Sequence, residues 1–490
     1  MNFDDQMKPV HTEHRDFTQF IGGRRVDVAA NQTFSVINPA TEDVVTNIPF
    51  GDQESCLESI EAAEKGFRVW REVNPFDRAI ILKKAAALML ERLDEYAKIT
   101  VLESGKPLAE AIGEWKVAAN FFEWYAEEGK RNYGRAIPAS RNNKRMTVIQ
   151  QPLGVVGAIT AWNFPAYNPA RCWAAALGAG CSVVAKPSEL TPLTAMLIAG
   201  CLHDAGIPNG VMNLITGDPS IIGQLLLQST AVRKISFTGS TRVGKILMDG
   251  ASITHTRLSL ELGGNAPVLI FPDVDVERIA VESVVAKLRN AGQVCIAPQR
   301  YILHEEIAER FLKAAKNKME QIISGNGLDP KTEMGPLIRE VQRENIDQMV
   351  KKSIAAGAEV QHGGNKGPGA KGFFFEPTLL RINEFNNPCF QYEIFGPVMP
   401  VITFKNFEEG LALANQTPYG LASYVFTNDL KTSIHASEKL EFGMVGINEW
   451  YPQAYEAPFG GWKQSGLGYE CGPEGMAEYT EKKLISIGGI

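Results

Sequence analysis

Between residues 153 and 271 short apolar runs alternate with helix-patterned stretches, and no other feature of the chain restricts its fold as strongly. The runs lie at 154–159, 182–185, 211–215 and 234–237, with helices expected at 191–205 and 241–251. Apolar runs of that length separated by helices read as βαβ units on a parallel sheet. A second alternation follows Gly263, with strands expected near 301–303, 398–402 and 423–426 and helices near 305–322 and 338–356. Upstream, residues 54–132 read as three helices. The glycine-rich stretch at 363–369 reads as a loop. A chain of 490 residues is too long for one hydrophobic core, and two α/β domains meeting near Gly263-Gly264 are the simplest division.

Composition excludes some partners. The net charge is -7, with acidic and basic residues intermingled, which argues against nucleic acid or an anionic membrane as the main partner. No run approaches the roughly 18 apolar residues of a membrane helix. The first six residues, MNFDDQ, are polar and acidic with no apolar segment behind them, so a cytoplasmic location is expected. Seven cysteines without a CxxC pair fit a reducing compartment. Apart from His11 and His14, the histidines do not cluster at ligand spacing, and no metal site is expected.

Three separated segments could form a covalent-catalysis site. Cys295 closes the run Gly292-Gln293-Val294-Cys295, Glu261 precedes Gly263-Gly264, and Asn163 sits in Trp162-Asn163-Phe164-Pro165. They could supply a thiol nucleophile, a base and an oxyanion donor. Each has a plainer reading as a buried cysteine, an ion-paired strand end or a turn asparagine. The segment Phe237-Thr238-Gly239-Ser240-Thr241-Arg242-Val243-Gly244-Lys245 follows a strand and opens a helix, where backbone amides can cradle phosphates. It nearly matches a P-loop, but Ile246 stands where the magnesium-binding hydroxyl belongs. A nucleotidase, a dinucleotide site and an ordinary strand–helix turn are all open at this point. Lys186-Pro187-Ser188-Glu189 ends a strand, where ligands of open α/β sheets bind.

Taken together and in order, these segments resemble the aldehyde dehydrogenase superfamily. The resemblance also takes in Phe20-Ile21-Gly22-Gly23, Glu393-Ile394-Phe395-Gly396-Pro397 and Pro458-Phe459-Gly460-Gly461. It implies an α/β fold with a Rossmann-like cofactor domain (1–262), a catalytic domain (263–445), and a return to the cofactor domain at 446–490. A small β oligomerisation arm would combine 136–152 with the C-terminal strand, and a homodimer or homotetramer is implied. In this reading Cys295 is the nucleophile, Glu261 the general base, and Asn163 with the Cys295 N–H the oxyanion hole. The cofactor would lie against Ile159, Trp162, Lys186, Ser188, Glu189, Gly239, Ser240, Gly244, Leu262, Glu393 and Phe395. NAD is the expected cofactor, because Glu189 suits free ribose hydroxyls, and NADP is the alternative. A non-catalytic binding protein of the same fold is the remaining rival, against which the joint presence of Cys295, Glu261 and Asn163 argues.

Within the superfamily, the segments at 262–267, 287–293 and 461–468 are most similar to semialdehyde dehydrogenases. The resemblance makes Arg171 and Arg289 carboxylate-binding residues of the small-molecule aldehyde substrate, succinic semialdehyde being the expected case. Gln453 stands where succinate-semialdehyde enzymes tend to carry serine, and the loop at 449–455 is aromatic. A 2-oxoglutarate semialdehyde, or a bulkier or aromatic semialdehyde, is therefore the alternative.

Overall fold

The computed structural model describes residues 17–26, 32–367 and 371–489. The polar first residues, His11, His14, the Pro368-Gly369 end of the glycine-rich loop and Ile490 lie outside the described residues. An eight-stranded sheet runs, in spatial order, Arg24–Val26, Gln19–Ile21, Met212–Leu214, Ser182–Lys186, Val155–Ile159, Val232–Thr238, Arg257–Glu261 and Gly466–Leu467. Its five central strands are parallel, and the strands flanking them pair antiparallel. Val156, Val183, Val184 and Ile235 are fully buried, as strands covered by helices on both faces require. From Val155–Ile159 the chain first builds outward to Ser182–Lys186 and Met212–Leu214, and then returns to add Val232–Thr238 on the opposite side. The order therefore reverses beside Ile159, which pairs with Phe237, and such a reversal opens a crevice beyond the carboxyl ends of the strands.

A second, seven-stranded sheet runs Glu359–His362, Thr378–Arg381, Val398–Phe404, Pro298–His304, Ala266–Ile270, Ala422–Phe426 and Met444–Ile447. All its pairs are parallel except the first. A three-stranded antiparallel sheet sets Thr480–Gly488 against Lys144–Pro152, which pairs in turn with Arg135–Ile137.

The helical region holds four helices rather than the three expected: Gln53–Trp70, Pro75–Glu91, Leu93–Ser104 and Leu108–Glu128. The extra boundary is local. At Arg92 the backbone leaves helical geometry (φ -97, ψ 12) although the apolar periodicity continues through it. Gly105 then ends the third helix in the left-handed region (φ 77), where a Cβ would stand 2.6 Å from Pro336. A further helix, Pro219–Gln228, escaped the sequence reading; Asp218 caps it by accepting from the Ser220 and Ile221 amides, with Pro219 at the first position.

Candidate active site

Each strand end at the crevice delivers one segment. Val155–Ile159 leads into Trp162-Asn163-Phe164 and the helix Tyr167–Ala179; Val232–Thr238 leads into Gly239-Ser240; Arg257–Glu261 ends on Glu261. From the second sheet come Cys295, just before Pro298–His304, and Glu393 to Phe395, just before Val398–Phe404. These segments meet in one cavity of ≈ 660 Å³. Its wall includes Cys295, Glu261 and Asn163 together with Trp162, Gly239, Ser240, Leu262, Glu393 and Phe395. Arg171, Arg289 and Gln453 line it as well.

The remaining candidates lie outside that wall. Ile159 and Lys186 are register partners on adjacent strands, and Lys186 Nζ is ion-paired with Glu189 at 3.0 Å. Ser188 Oγ accepts from the Leu190 amide. Gly244 lies on the helix Thr241–Thr254, and a Cβ there would come within 2.7 Å of Leu262, so its glycine allows the helix to pack closely on that residue. Lys245, the lysine of the near-P-loop, turns outward and donates to Gln464 Oε1 at 3.3 Å.

Cys295 is the only one of the seven cysteines that is partly exposed, which fits a nucleophile better than a packing residue. Burial pushes its thiol up to about 12, assisted by Glu261 and Glu393 and opposed by Arg171, so the resting sulfur is protonated at neutral pH. Its loop is strongly constrained. Asn290 (φ 47), Ala291 (φ 53) and Gly292 (φ 74) are consecutive left-handed residues, and a Cβ at Gly292 would come 2.1 Å from the Gly396 carbonyl. Only glycine can occupy that last position. The buried Gln293 amide fastens the loop, donating to the Asn290 carbonyl at 3.0 Å and accepting from Ile338 N at 2.9 Å.

Asn163 is tied to the same loop. Its Nδ2 donates to the Gln293 carbonyl at 3.0 Å, and its Oδ1 accepts from Asn168 at 3.2 Å. One Nδ2 hydrogen is thereby used, leaving the second for a ligand in the cavity. The Asn163 carbonyl accepts from Lys106 Nζ and Asn290 Nδ2, each at 2.9 Å. Lys106 forms a fully buried ion pair with Glu114, whose other oxygen accepts from the Ala166 and Tyr167 amides at 2.7 and 3.1 Å. This pair clamps the oxyanion-donor loop and the start of its helix, and sequence reading missed both members. Lys106 stands in the small-residue turn Ser104-Gly105-Lys106-Pro107, where a charged residue looks solvated.

Glu261 is 2 % exposed, and neither carboxylate oxygen has a hydrogen-bond partner. Burial lifts its carboxyl well above the usual range; Arg171 opposes the rise and Glu470 adds to it. Two unpartnered oxygens facing a cavity beside a thiol are what a base awaiting water or thiol requires. Arg171 is itself ion-paired in the interior with Glu470, which also accepts from Ser236 Oγ at 2.9 Å. Arg289 is half-buried, its guanidinium lying over the rings of Phe164 (5.0 Å) and Tyr451 (5.7 Å). Arg171 also lies over Tyr167 and Phe459, so the two cavity arginines differ in their ion pairing: among the described residues only Arg171 is paired with a carboxylate. Gln453 Oε1 is buried and lacks a partner.

Glu393 accepts from the Gly264 amide at 2.9 Å, and burial pushes its carboxyl up to about 7. Phe395, left-handed at φ 52, sets its ring edge-on to Trp162. The residues present fit a dinucleotide. The glycine turn at Gly239-Ser240 opens a helix toward the cavity, acceptors stand at Glu189 and Glu393, and a Cβ at Gly263 would strike Glu393 at 2.6 Å.

Residues 26–485 match the aldehyde dehydrogenase family. The chain belongs to the aldehyde dehydrogenase family. Such a dehydrogenase is NAD(P)-dependent, and the nucleotidase reading of the near-P-loop falls with this finding. The chain is 42% identical over 470 residues to a mitochondrial succinate-semialdehyde dehydrogenase of Oryza sativa subsp. japonica, covering 96% of this chain and 89% of the relative. It is 40% identical over 468 residues to the NADP(+) succinate-semialdehyde dehydrogenase of Escherichia coli, covering 96% and 97%. The crystal structure of succinate-semialdehyde dehydrogenase from Burkholderia pseudomallei superposes with a TM-score of 0.94 at 38% identity, covering 96% and 98%. Among the described residues no helix is long and apolar enough to cross a membrane.

Proposed function

We propose that this aldehyde dehydrogenase oxidises an aldehyde bearing a carboxylate a few carbons from the carbonyl, such as succinic semialdehyde, to the corresponding diacid. The observation that carries the reading is Arg289, a half-buried cation in the wall of the cavity that holds Cys295, with no ion pair to any described carboxylate, although its charge acts on Glu110. The names of similar proteins support the same substrate class. Gln453, with its unpartnered Oε1, adds a polar group to the substrate end and is the residue whose size would distinguish longer or keto-bearing semialdehydes.

In this mechanism Glu261 takes the Cys295 thiol proton and passes it to solvent, while Sγ adds to the aldehyde carbon, forming a C–S bond as the carbonyl π pair moves to oxygen. The second Asn163 Nδ2 hydrogen and the Cys295 amide donate to that oxyanion, each such donor contributing roughly 3 kcal/mol. Gly239, Ser240, Glu393 and Phe395 would hold one end of a nicotinamide cofactor and Lys186, Ser188 and Glu189 the other, and the bound cofactor would supply the hydride acceptor for the oxidation to the thioester level. Glu261 then takes a proton from water as its oxygen attacks the thioester carbon, and the C–S bond breaks to return the thiol and release the acid. A carboxyl raised by burial is a correspondingly stronger base once ionised, which suits this step.

The division into cofactor-binding (1–262), catalytic (263–445) and returning (446–490) segments is supported by the way the two large sheets partition the chain. A homodimer or homotetramer is supported by the edge strand Thr480–Gly488, which exposes Leu484, Ile485 and Ile487. Seven unpaired cysteines support a cytoplasmic location.

A panel comparing succinic semialdehyde with longer semialdehydes and with neutral aldehydes of equal length tests the substrate class. The acid-bearing aldehydes should show the higher kcat/KM, and Arg289→Ala should raise KM for them far more than for neutral ones. A neutral aldehyde preferred by the unmutated protein, or equal losses in the variant, would overturn the proposal.

A further inference from the structure

The segment Gly263-Gly264-Asn265 joins the last parallel strand of the first sheet, Arg257–Glu261, to the strand Ala266–Ile270 of the second. Its backbone is packed from two sides. A Cβ on Gly263 would stand 2.6 Å from Glu393 Oε2, and one on Gly264 would stand 2.3 Å from the Cys295 carbonyl. Two consecutive glycines thus touch both the acid of the nicotinamide half and the backbone of the nucleophile.

The turn that carries Glu393 has little to hold it from within. Pro388–Gln391 is a helix of one turn, so its last carbonyls have no partner further along it, and the next residue, Tyr392, is extended and exposed. Asn265 supplies the missing partner. Its Nδ2 donates to the Phe390 carbonyl at 3.2 Å and to the Gln391 carbonyl at 3.1 Å. The Gly264 amide, one residue back, donates to Glu393 Oε1 at 2.9 Å. Adjacent residues therefore hold this turn at its helical end and at its carboxylate.

Asn265 is itself locked. It is buried, and its own carbonyl accepts from Arg300 Nε at 3.0 Å. The Arg300 guanidinium is buried without a carboxylate partner among the described residues. Its Nη1 and Nη2 donate to the Leu413 and Ala414 carbonyls at 2.8 and 2.7 Å, near the end of the helix Phe407–Asn415. It also lies over the Phe390 ring at 5.6 Å. A planar fork reaches three carbonyls in fixed directions, which a single ammonium does not. Arg300 thereby ties Asn265, the helix Phe407–Asn415 and the turn before Glu393 into one unit.

We propose that Asn265, locked by Arg300, is a positioning residue for Glu393: it fixes that carboxylate relative to Cys295, so that the nicotinamide end of the dinucleotide is presented to the thiol. Neither Asn265 nor Arg300 lines the cavity, so both act through Glu393 rather than on substrate or cofactor. The proposal rests on the dinucleotide site described above and deepens it.

Calorimetric titration of the full-length protein with NAD and with AMP tests this without turnover. The proteins are the unmutated chain, Asn265→Leu, Glu393→Ala and the double variant; leucine keeps the bulk of Asn265 and removes its donors. Asn265→Leu should weaken NAD about tenfold and AMP less than about twofold. In the Glu393→Ala background the same substitution should change NAD affinity less than about twofold, because the group it acts through is gone. Asn265→Ser carries the same comparison if the leucine variant fails to fold. Equal losses for NAD and AMP, or a tenfold loss that persists without the Glu393 side chain, would overturn the proposal. So would NAD affinity unchanged by Asn265→Leu where Glu393→Ala lowers it. The crystal structure of the Asn265 variant gives a second readout that needs no cofactor: Glu393 displaced from the Gly264 amide supports the proposal, and an intact hydrogen bond overturns it. NAD affinity insensitive to Glu393→Ala would instead overturn the reading of Glu393 as a cofactor residue, and the crystal structure would then decide the positioning alone.

Discussion

Replacing Glu114 with leucine tests whether the oxyanion-donor loop is held by a buried charge pair. The Lys106 and Glu114 side chains are 0 % and 2 % exposed, so the substitution strands an ammonium in the interior. Removing one partner of such a pair typically costs roughly 3 to 5 kcal/mol. The Ala166 and Tyr167 amides lose their acceptor as well. That is a large fraction of the roughly 5 to 15 kcal/mol by which folded domains are stable. Lys106→Met combined with Glu114→Leu removes both charges and should recover at least about 1 kcal/mol of the loss, since no buried ion is left unpaired. Catalysis should suffer in both variants, because Lys106 also donates to the Asn163 carbonyl. A displacement of the donor by about 1 Å is enough for roughly a hundredfold loss in the hydride-transfer burst. Urea unfolding followed by tryptophan fluorescence reads the first quantity, and stopped-flow NADH absorbance the second. An unchanged urea midpoint in Glu114→Leu, or a double variant less stable than the single one, would refute the reasoning.

Three further outcomes are expected. With its thiol pushed up to about 12, Cys295 of the cofactor-free protein should be alkylated by iodoacetamide at a rate rising roughly tenfold per pH unit from pH 7 to 10; a plateau near pH 8 would contradict this. Glu393, raised by burial from 4.5 to about 7, binds its proton more tightly in the folded than in the unfolded chain. Its contribution to stability is therefore complete below about pH 4.5 and lost as pH rises through 7, and Glu393→Gln should flatten that part of the urea-midpoint profile, no change in slope counting against it. Lysine at both Leu484 and Ile487 should lower the oligomer mass measured by light scattering, because the edge strand would then carry added charge; an unchanged mass would place the interface elsewhere.

Much of the fold was legible because the central strands carry their own signal. Val155–Ile159 and Ser182–Lys186 are mostly apolar runs buried on both faces that end at residues read as functional, and Val232–Thr238 leads directly into Gly239, also read so. The edge strands were not legible. Gln19–Ile21 and Gly466–Leu467 are short, and their places depend on partners such as Leu214 and Leu260 that lie far away in sequence. The same limit applies to the site. Cys295, Glu261 and Asn163 announce themselves through glycine-rich or aromatic surroundings, and the fold brings them to one cavity. Lys106, Glu114 and Glu470 do not, because a buried ion pair and a solvated charge look identical until the partner is known. Arg171 shows the consequence. Sequence alone presents it as a free carboxylate anchor, whereas in the folded chain it already faces Glu470 and acts on Glu261 as well as on the cavity.

The central claim is a thioester on Cys295 that Glu261 helps water to cleave, and Glu261→Gln should let that species accumulate. The measurement is the intact and peptide mass of the variant, quenched in acid seconds after mixing with succinic semialdehyde and NAD. The account predicts one burst of NADH per active site and a mass increase equal to the acyl group, confined to the peptide containing Cys295. Sustained turnover with no adduct, or an adduct on any other residue, would contradict it.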